Sequence, residues 1–198
     1  MANKFFGATV SLWLLVTLVH VSHGELVEKS LLQAVATNNQ RLGRAAQCVA
    51  DLFEDAEVQT KCNTVVEGGI GFLRGYKGKT LTDEGYINLA NLVIMTAVTN
   101  MQGVHPKCAS AGDSYTVSNT PSSGANLSKT GGVFVRIGDV CDCLIKKGDN
   151  DLLAKVPAFY AKIIEGLASD TGADLVDVLY KHESTLANDL ASLSGDCK

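Results

Sequence analysis

The chain has little of what catalysis and metal binding draw on. Its 198 residues include four histidines, and His20 and His23 fall in an apolar N-terminal leader. His105 and His182 remain beyond it. There is no HExxH, no GxSxG and no GxxxxGK[ST], so the usual metalloprotease, hydrolase and phosphate-loop signatures are missing. No CxxC pair and no Cys/His knuckle occurs, which argues against a structural zinc site. No tandem cysteine followed by histidine suggests a secreted phospholipase. Past the leader, no apolar run reaches spanning length without a charge or a glycine, so stable membrane insertion is not expected. Positive charge is not in excess either. Residues 25–198 carry 16 Lys and Arg against 21 Asp and Glu, a formal net charge of −5. That balance favours neither nucleic acid nor an anionic membrane as partner.

What is present begins with the leader. Lys4, the apolar run from Phe5 to Val19 and the small residues around Ser22-His23-Gly24 read as a secretory signal peptide over residues 1–24, cleaved after Gly24. Residues 25–198 then form a single secreted, extracellular domain. Six cysteines lie in it: Cys48, Cys62, Cys108, Cys141, Cys143 and Cys197. An even number in a secreted chain predicts three disulfides.

The apolar spacing is helical through most of the chain. One helix is expected over Glu25 to Ala36, ended by Asn38-Asn39, and a second over Gln40 to Glu54, with Gly43 weakening its start. Asp55 is a suitable N-cap for a third helix over Ala56 to Glu67. Five glycines between Gly68 and Lys79 predict a flexible connector. Thr82-Asp83-Glu84 starts a weakly charged helix to about Asn100 that reads as central and largely buried. Residues 103–132 are the least helical part. Ser114 to Ser118 and Val133 to Ile137 offer a short β-hairpin near 114–137 as the alternative there.

The stretch from Val133 to Gly148 reads as a helical post. Cys141 and Cys143 lie two apart in it, and residues at that spacing point to opposite sides. They therefore need separate partners. A chain reversal at Asp55 would set Cys48 opposite Cys62 across a helical hairpin, so that pair is expected. Cys108 and Cys197 are then left for Cys141 and Cys143, in either order. Gly148 is a C-cap, Asp149-Asn150 start the next segment, and Pro157 either kinks it or opens a new helix. Thr171 to Asp174 resembles a capping box ahead of a last helix with Leu175, Leu179, His182, Leu186, Leu190 and Leu193 on one face. The fold class is all-α, a disulfide-stapled bundle of six or seven helices.

No constellation of residues supports an enzyme. His182 on its leucine face reads as a partly buried histidine with one hydrogen bond. Glu183 and Asp189 flank the last helix without a metal-binding spacing, and Asp149 to Asp151 lacks the register and glycine of a calcium loop. No catalytic residue, metal or cofactor is expected. Asn126-Leu127-Ser128 is an N-glycosylation sequon in a stretch expected to be exposed. The first functional expectation is binding or sequestering of a small apolar ligand between helical walls rich in Val, Ile and Leu. Its candidate pocket residues are Val93, Val98, Met101, Phe159, Ile163, Leu179 and His182. The alternative is an extracellular protein-interaction module, an inhibitor, effector or structural component acting through loop 103–132.

Overall fold

The computed structural model describes residues 24–116 and 123–198, with side chains from Lys29 onward. The signal-peptide expectation lies outside the described residues apart from Gly24. The described chain is an all-α bundle, stapled by two disulfides. The long helices are α1 (Gly24–Asp51), α2 (Ala56–Arg74), α3 (Asp83–Gly103), α5 (Ala125–Lys147), α7 (Val156–Ser169) and α8 (Leu175–Ser192). Between them lie a 3₁₀ turn (Pro106–Cys108) and the one-turn helices α4 (Ala111–Ser114) and α6 (Asn150–Leu153).

Helix α1 is one continuous helix, not two. Asn39, fully buried, does not end it. Its Nδ2 donates to the Val35 carbonyl at 2.9 Å and to the Tyr160 hydroxyl of α7 at 3.5 Å. The Nδ2 thus finds a backbone and a tertiary partner inside the helix, and the residue does not form a cap. The axis of the molecule is α1 packed along α5, with α3 on the far side of α1 and α8 on α5. Small residues let α1 and α5 touch backbone to backbone. A Cβ on Gly131 would stand 2.7 Å from the Gly43 carbonyl oxygen, one on Gly138 2.6 Å from that of Ala36, and one on Gly124 2.6 Å from that of Ala50.

This contact overturns the loop and hairpin readings of 103–132. Residues 125–132 are the first turns of α5, Val133 to Ile137 continue it, and no strand occurs among the described residues. Glycines at 124, 131 and 132 look like loop residues, but Gly124 and Gly131 serve a close helix crossing. Residues 117–122 of this stretch lie outside the described residues.

The glycine connector is also helical as far as Arg74. Ile70 and Leu73, both buried, hold this end of α2 in the core and offset the helix cost of Gly68, Gly69 and Gly71. Helix α3 departs from the expectation in a different way. Ile87, Leu89, Ala90, Ile94, Val98 and Met101 are buried, but Leu92 and Met95 are exposed, so the helix is half open.

The local caps follow the sequence at most ends. Asp55 accepts from the Glu57 N–H, Thr82 from Gly85 and Asp149 from Asp151 and Leu152. Gly148 ends α5 in the left-handed region at φ 68°. Pro157 sits in the first turn of α7. The last helix is capped by Asp174 and not by Thr171. Asp174 accepts from the N–H groups of Val176 and Asp177.

The expected cysteine hairpin does not form. Helices α1 and α2 diverge after Asp55 instead of packing along one another, so Cys48 bonds Cys108 in the 3₁₀ turn. Cys143 on the outer side of α5 bonds Cys197 in the C-terminal tail. Cys62 and Cys141 point into the core as free thiols. The opposite directions of residues 141 and 143 are as expected for their spacing, but only one of the two takes a cysteine partner.

Candidate functional site

Two adjoining spaces lie where α2 and α3 meet the rest of the bundle. The outer one is an apolar groove of about 790 Å³ between α2 and α3. Thr60, Thr64, Val65, Gly68, Gly69 and Phe72 form one wall, and Leu92, Val93, Thr96, Ala97 and Asn100 the other. Phe72 and Leu92 are exposed there, with Met95 beside them on α3. Steps of three, four and three explain the α3 wall, since Val93, Thr96, Asn100 and Gly103 then share one helix face. Gly68 and Gly69 leave open space where other residues would place a Cβ, which widens the groove.

The inner space is a half-open cavity of about 90 Å³ between the helices. Leu42 and Ala46 of α1, Ile70 and Leu73 of α2, Ile94 and Met101 of α3, Leu127, Thr130 and Phe134 of α5, Tyr160, Ile163 and Ile164 of α7, and Leu179, Glu183 and Leu186 of α8 line it. Val65, Gly69, Val93 and Ala97 line both spaces. The groove floor is therefore the cavity roof, one layer of small or branched side chains thick.

Three polar side chains reach this apolar lining. The Thr130 hydroxyl donates to the Asn126 carbonyl at 2.8 Å. The Tyr160 hydroxyl accepts from Asn39 and lies 3.8 Å from the Cys141 sulfur. Glu183 is only 8% exposed, and its carboxyl makes no hydrogen bond or ion pair among the described residues. Burial pushes its pKa up to about 8. Burial likewise pushes the Tyr160 hydroxyl well above its ordinary value and the thiols of Cys141 and Cys62 up to about 12. These thiols are therefore poor nucleophiles.

Of the pocket candidates from the sequence, Val93, Met101, Ile163 and Leu179 line the cavity, and Val98, Phe159 and His182 do not. Val98 is buried in neighbouring core, and Phe159 is half-buried against it. His182 turns away to the α7–α8 connection. Its Nε2 lies 2.9 Å from Asp170 Oδ2, and its ring fills the space above Gly166. Asp170 also accepts from the Gly172 N–H and from Lys181. The Gly172 N–H, then His182 and Lys181, hold the Asp170 carboxyl well below the usual carboxylate range. This cluster fastens a turn and presents no open reactive group. Its neighbour Glu183, which the sequence offers only as an acid without metal-binding spacing, lines the cavity instead. The signal was there: Leu179, Glu183, Leu186 and Leu190 step by four, three and four, which puts the acid on the leucine face.

Asn126 is exposed in the first turn of α5, where its Nδ2 donates to Asp177 at 3.1 Å. The stretch 104–116 is tied to α1 by Cys48–Cys108, by an Arg41–Asp113 pair at 3.1 Å, by Arg44 to the Gly112 carbonyl and by Tyr115 to Asp51. Among the described residues no group of three or more His, Cys, Asp or Glu is placed to hold a metal ion, and no helix is long and apolar enough to cross a membrane. The chain matches no family model, no curated protein and no solved structure.

Proposed function

We propose that the chain is a secreted carrier that binds or sequesters an elongated apolar molecule. The observation that carries this reading is the groove of about 790 Å³ sharing its floor with an inner cavity. Ligand sites are concave and mostly apolar with a few polar groups; the inner space has that character, and the groove joins Val65, Phe72, Leu92 and Val93 with Thr60, Lys61, Thr64, Thr96, Thr99 and Asn100. The disulfides fit an oxidising compartment, as does a leader followed by an even set of cysteines. Burial leaves the thiols of Cys62 and Cys141 as packing groups and poor nucleophiles, which fits a carrier.

Native mass spectrometry of protein from a secretory eukaryotic host, followed by solvent extraction, tests the reading. A stoichiometric apolar adduct is expected, along with displacement of a neutral fluorescent dye by long-chain amphiphiles. Val93→Trp and Ala97→Trp, which fill the shared wall, should weaken dye binding about tenfold or more without loss of helicity. Bare protein that binds neither the dye nor any amphiphile sinks the reading. The second reading, an extracellular protein-interaction module, has support in the exposed Phe72 and Leu92 of the groove and in the exposed Met95 three residues from Leu92 on α3, the kind of surface an amphipathic helix covers. In that case Met95→Ser, outside the groove lining, would weaken partner capture and leave dye binding intact.

A further inference from the structure

We propose that Glu183 seats the polar head of the bound molecule, and that this head is a hydrogen-bond donor, a hydroxyl or an amine, on an apolar chain. The inference rests on the carrier reading and names the chemistry of its ligand. Glu183 is buried between Leu179 and Leu186 on the inward face of α8. A carboxyl in apolar surroundings without a hydrogen bond is costly, and such a group in a folded protein needs an explanation. The two other polar groups of the cavity are already partnered, Thr130 through Asn126 and Tyr160 through Asn39. Glu183 is the one left for a ligand.

The size of the cavity fixes which end enters. An apolar cavity of about 150 Å³ takes one benzene ring. The 90 Å³ here takes a head group and its first carbons, and the chain then lies in the 790 Å³ groove. Passage runs through the wall of Val65, Gly69, Val93 and Ala97 that the two spaces share.

The lining also fixes the sign of the head. No Lys, Arg or His lines the cavity among the described residues, so nothing there would balance an anion. The titratable group facing Glu183 is Tyr160 from α7, with Cys141 of α5 behind it, and neither is a cation. A carboxyl oxygen accepts a hydrogen bond in either protonation state. A hydroxyl is held in the neutral form. An ammonium is held by the carboxylate once Glu183 has released its proton to solvent.

Displacement of a neutral dye by decanol, decylamine, decane and decanoate, all below their aggregation limits, tests the proposal. Decanol or decylamine should bind about tenfold more tightly than decane, and decanoate no better than decane. Glu183→Leu should remove the preference and keep decane binding. Glu183→Gln, closer in shape, should reduce it and guards against misfolding of the leucine variant, with circular dichroism confirming the fold of each. Calorimetry at pH 7 in buffers of different ionisation enthalpy separates the two heads, since the amine releases a proton on binding and the alcohol does not. Equal affinity for all four, or a preference that survives in both variants, overturns the role of Glu183 and leaves the carrier reading standing. Failure of every compound and of the dye overturns both.

Discussion

Gly43 of α1 and Gly131 of α5 meet with their backbones in contact, and each occupies the place where the other's Cβ would stand. The contact repeats every seven residues on both helices. Ala36, Gly43 and Ala50 face Gly138, Gly131 and Gly124 in antiparallel order. A seven-residue step brings a helix back to nearly the same face, so the six positions form one seam. Close approach along this seam buries the flanking Val35, Leu42, Val49, Leu127, Phe134 and Val140.

Gly131→Ala should therefore destabilise the fold, although alanine is the better helix former. The new methyl meets backbone at 2.7 Å, where only movement of a whole helix makes room. Overpacking of this kind costs about 1–3 kcal/mol, against a propensity gain of about 1 kcal/mol. Gly71→Ala is the control. It is exposed with open space at its Cβ, and it should stabilise α2 by up to about 1 kcal/mol. Urea unfolding of the two variants should move the midpoint in opposite directions. A stabilised Gly131→Ala would show that the two backbones are not in contact.

The same seam explains why part of the fold was hidden in the sequence. The helix faces around Leu32, Val58, Ile94 and Leu186 follow from apolar spacing, and the Asp55, Thr82 and Asp149 caps from side-chain chemistry at the helix starts. Gly43, Gly124 and Gly131 carry no such local signal. A glycine that weakens an isolated helix and a glycine that lets two helices touch are the same letter, and only the partner decides. Asn39 is a similar case, a helix terminator by local preference whose Nδ2 reaches the distant Tyr160. The site was half legible. Val93, Met101, Ile163 and Leu179 belong to apolar stripes, but His182, on the same leucine stripe, is drawn off by Asp170, which no spacing announces. Glu183 is legible by position on the leucine stripe, but its lack of metal-binding spacing says nothing of a place in an apolar cavity.

The cysteines give a direct chemical test. Unreduced protein in denaturant should titrate two thiols, Cys62 and Cys141, with a thiol reagent. The folded protein should react far more slowly at pH 8, because both are buried with pKa values pushed up to about 12. No reactive thiol in denaturant would mean a third disulfide and a rearranged core.

The Cys143–Cys197 bridge closes a loop across 54 residues and holds the tail on the outer side of α5. Replacing both cysteines by serine should lower stability by about 2–4 kcal/mol through the greater freedom of the unfolded chain. The neighbouring Lys147–Asp196 pair, at 2.8 Å and largely exposed, contributes little and does not compensate. Thermal unfolding of the double variant measures the loss. An unchanged midpoint would show that the tail adds no constraint of its own.

Glu183 makes stability depend on pH in a window of its own. Its folded pKa of about 8 lies above the ordinary 4.5, so the folded state holds the proton more tightly than the unfolded state does. Its contribution is full below about pH 4.5, falls as pH rises toward 8, and levels off once both states are ionised. The slope in between is at most about 1.4 kcal/mol per pH unit. The shifted aspartates act elsewhere. Lys146 and Gln33 lower the Asp142 pKa, Gly172, His182 and Lys181 that of Asp170, and Lys147 that of Asp196. Their stabilisation is present above the usual carboxylate range and is lost only in acid. Between pH 5 and 8 the wild-type melting temperature should therefore fall, while that of Glu183→Gln stays nearly level. A saturating long-chain amine should flatten the wild-type curve too, because it binds and stabilises the ionised form of Glu183 in the folded state. Parallel curves for wild type and variant without ligand would mean that the carboxyl ionises freely in the folded protein, and that the cavity is open to water.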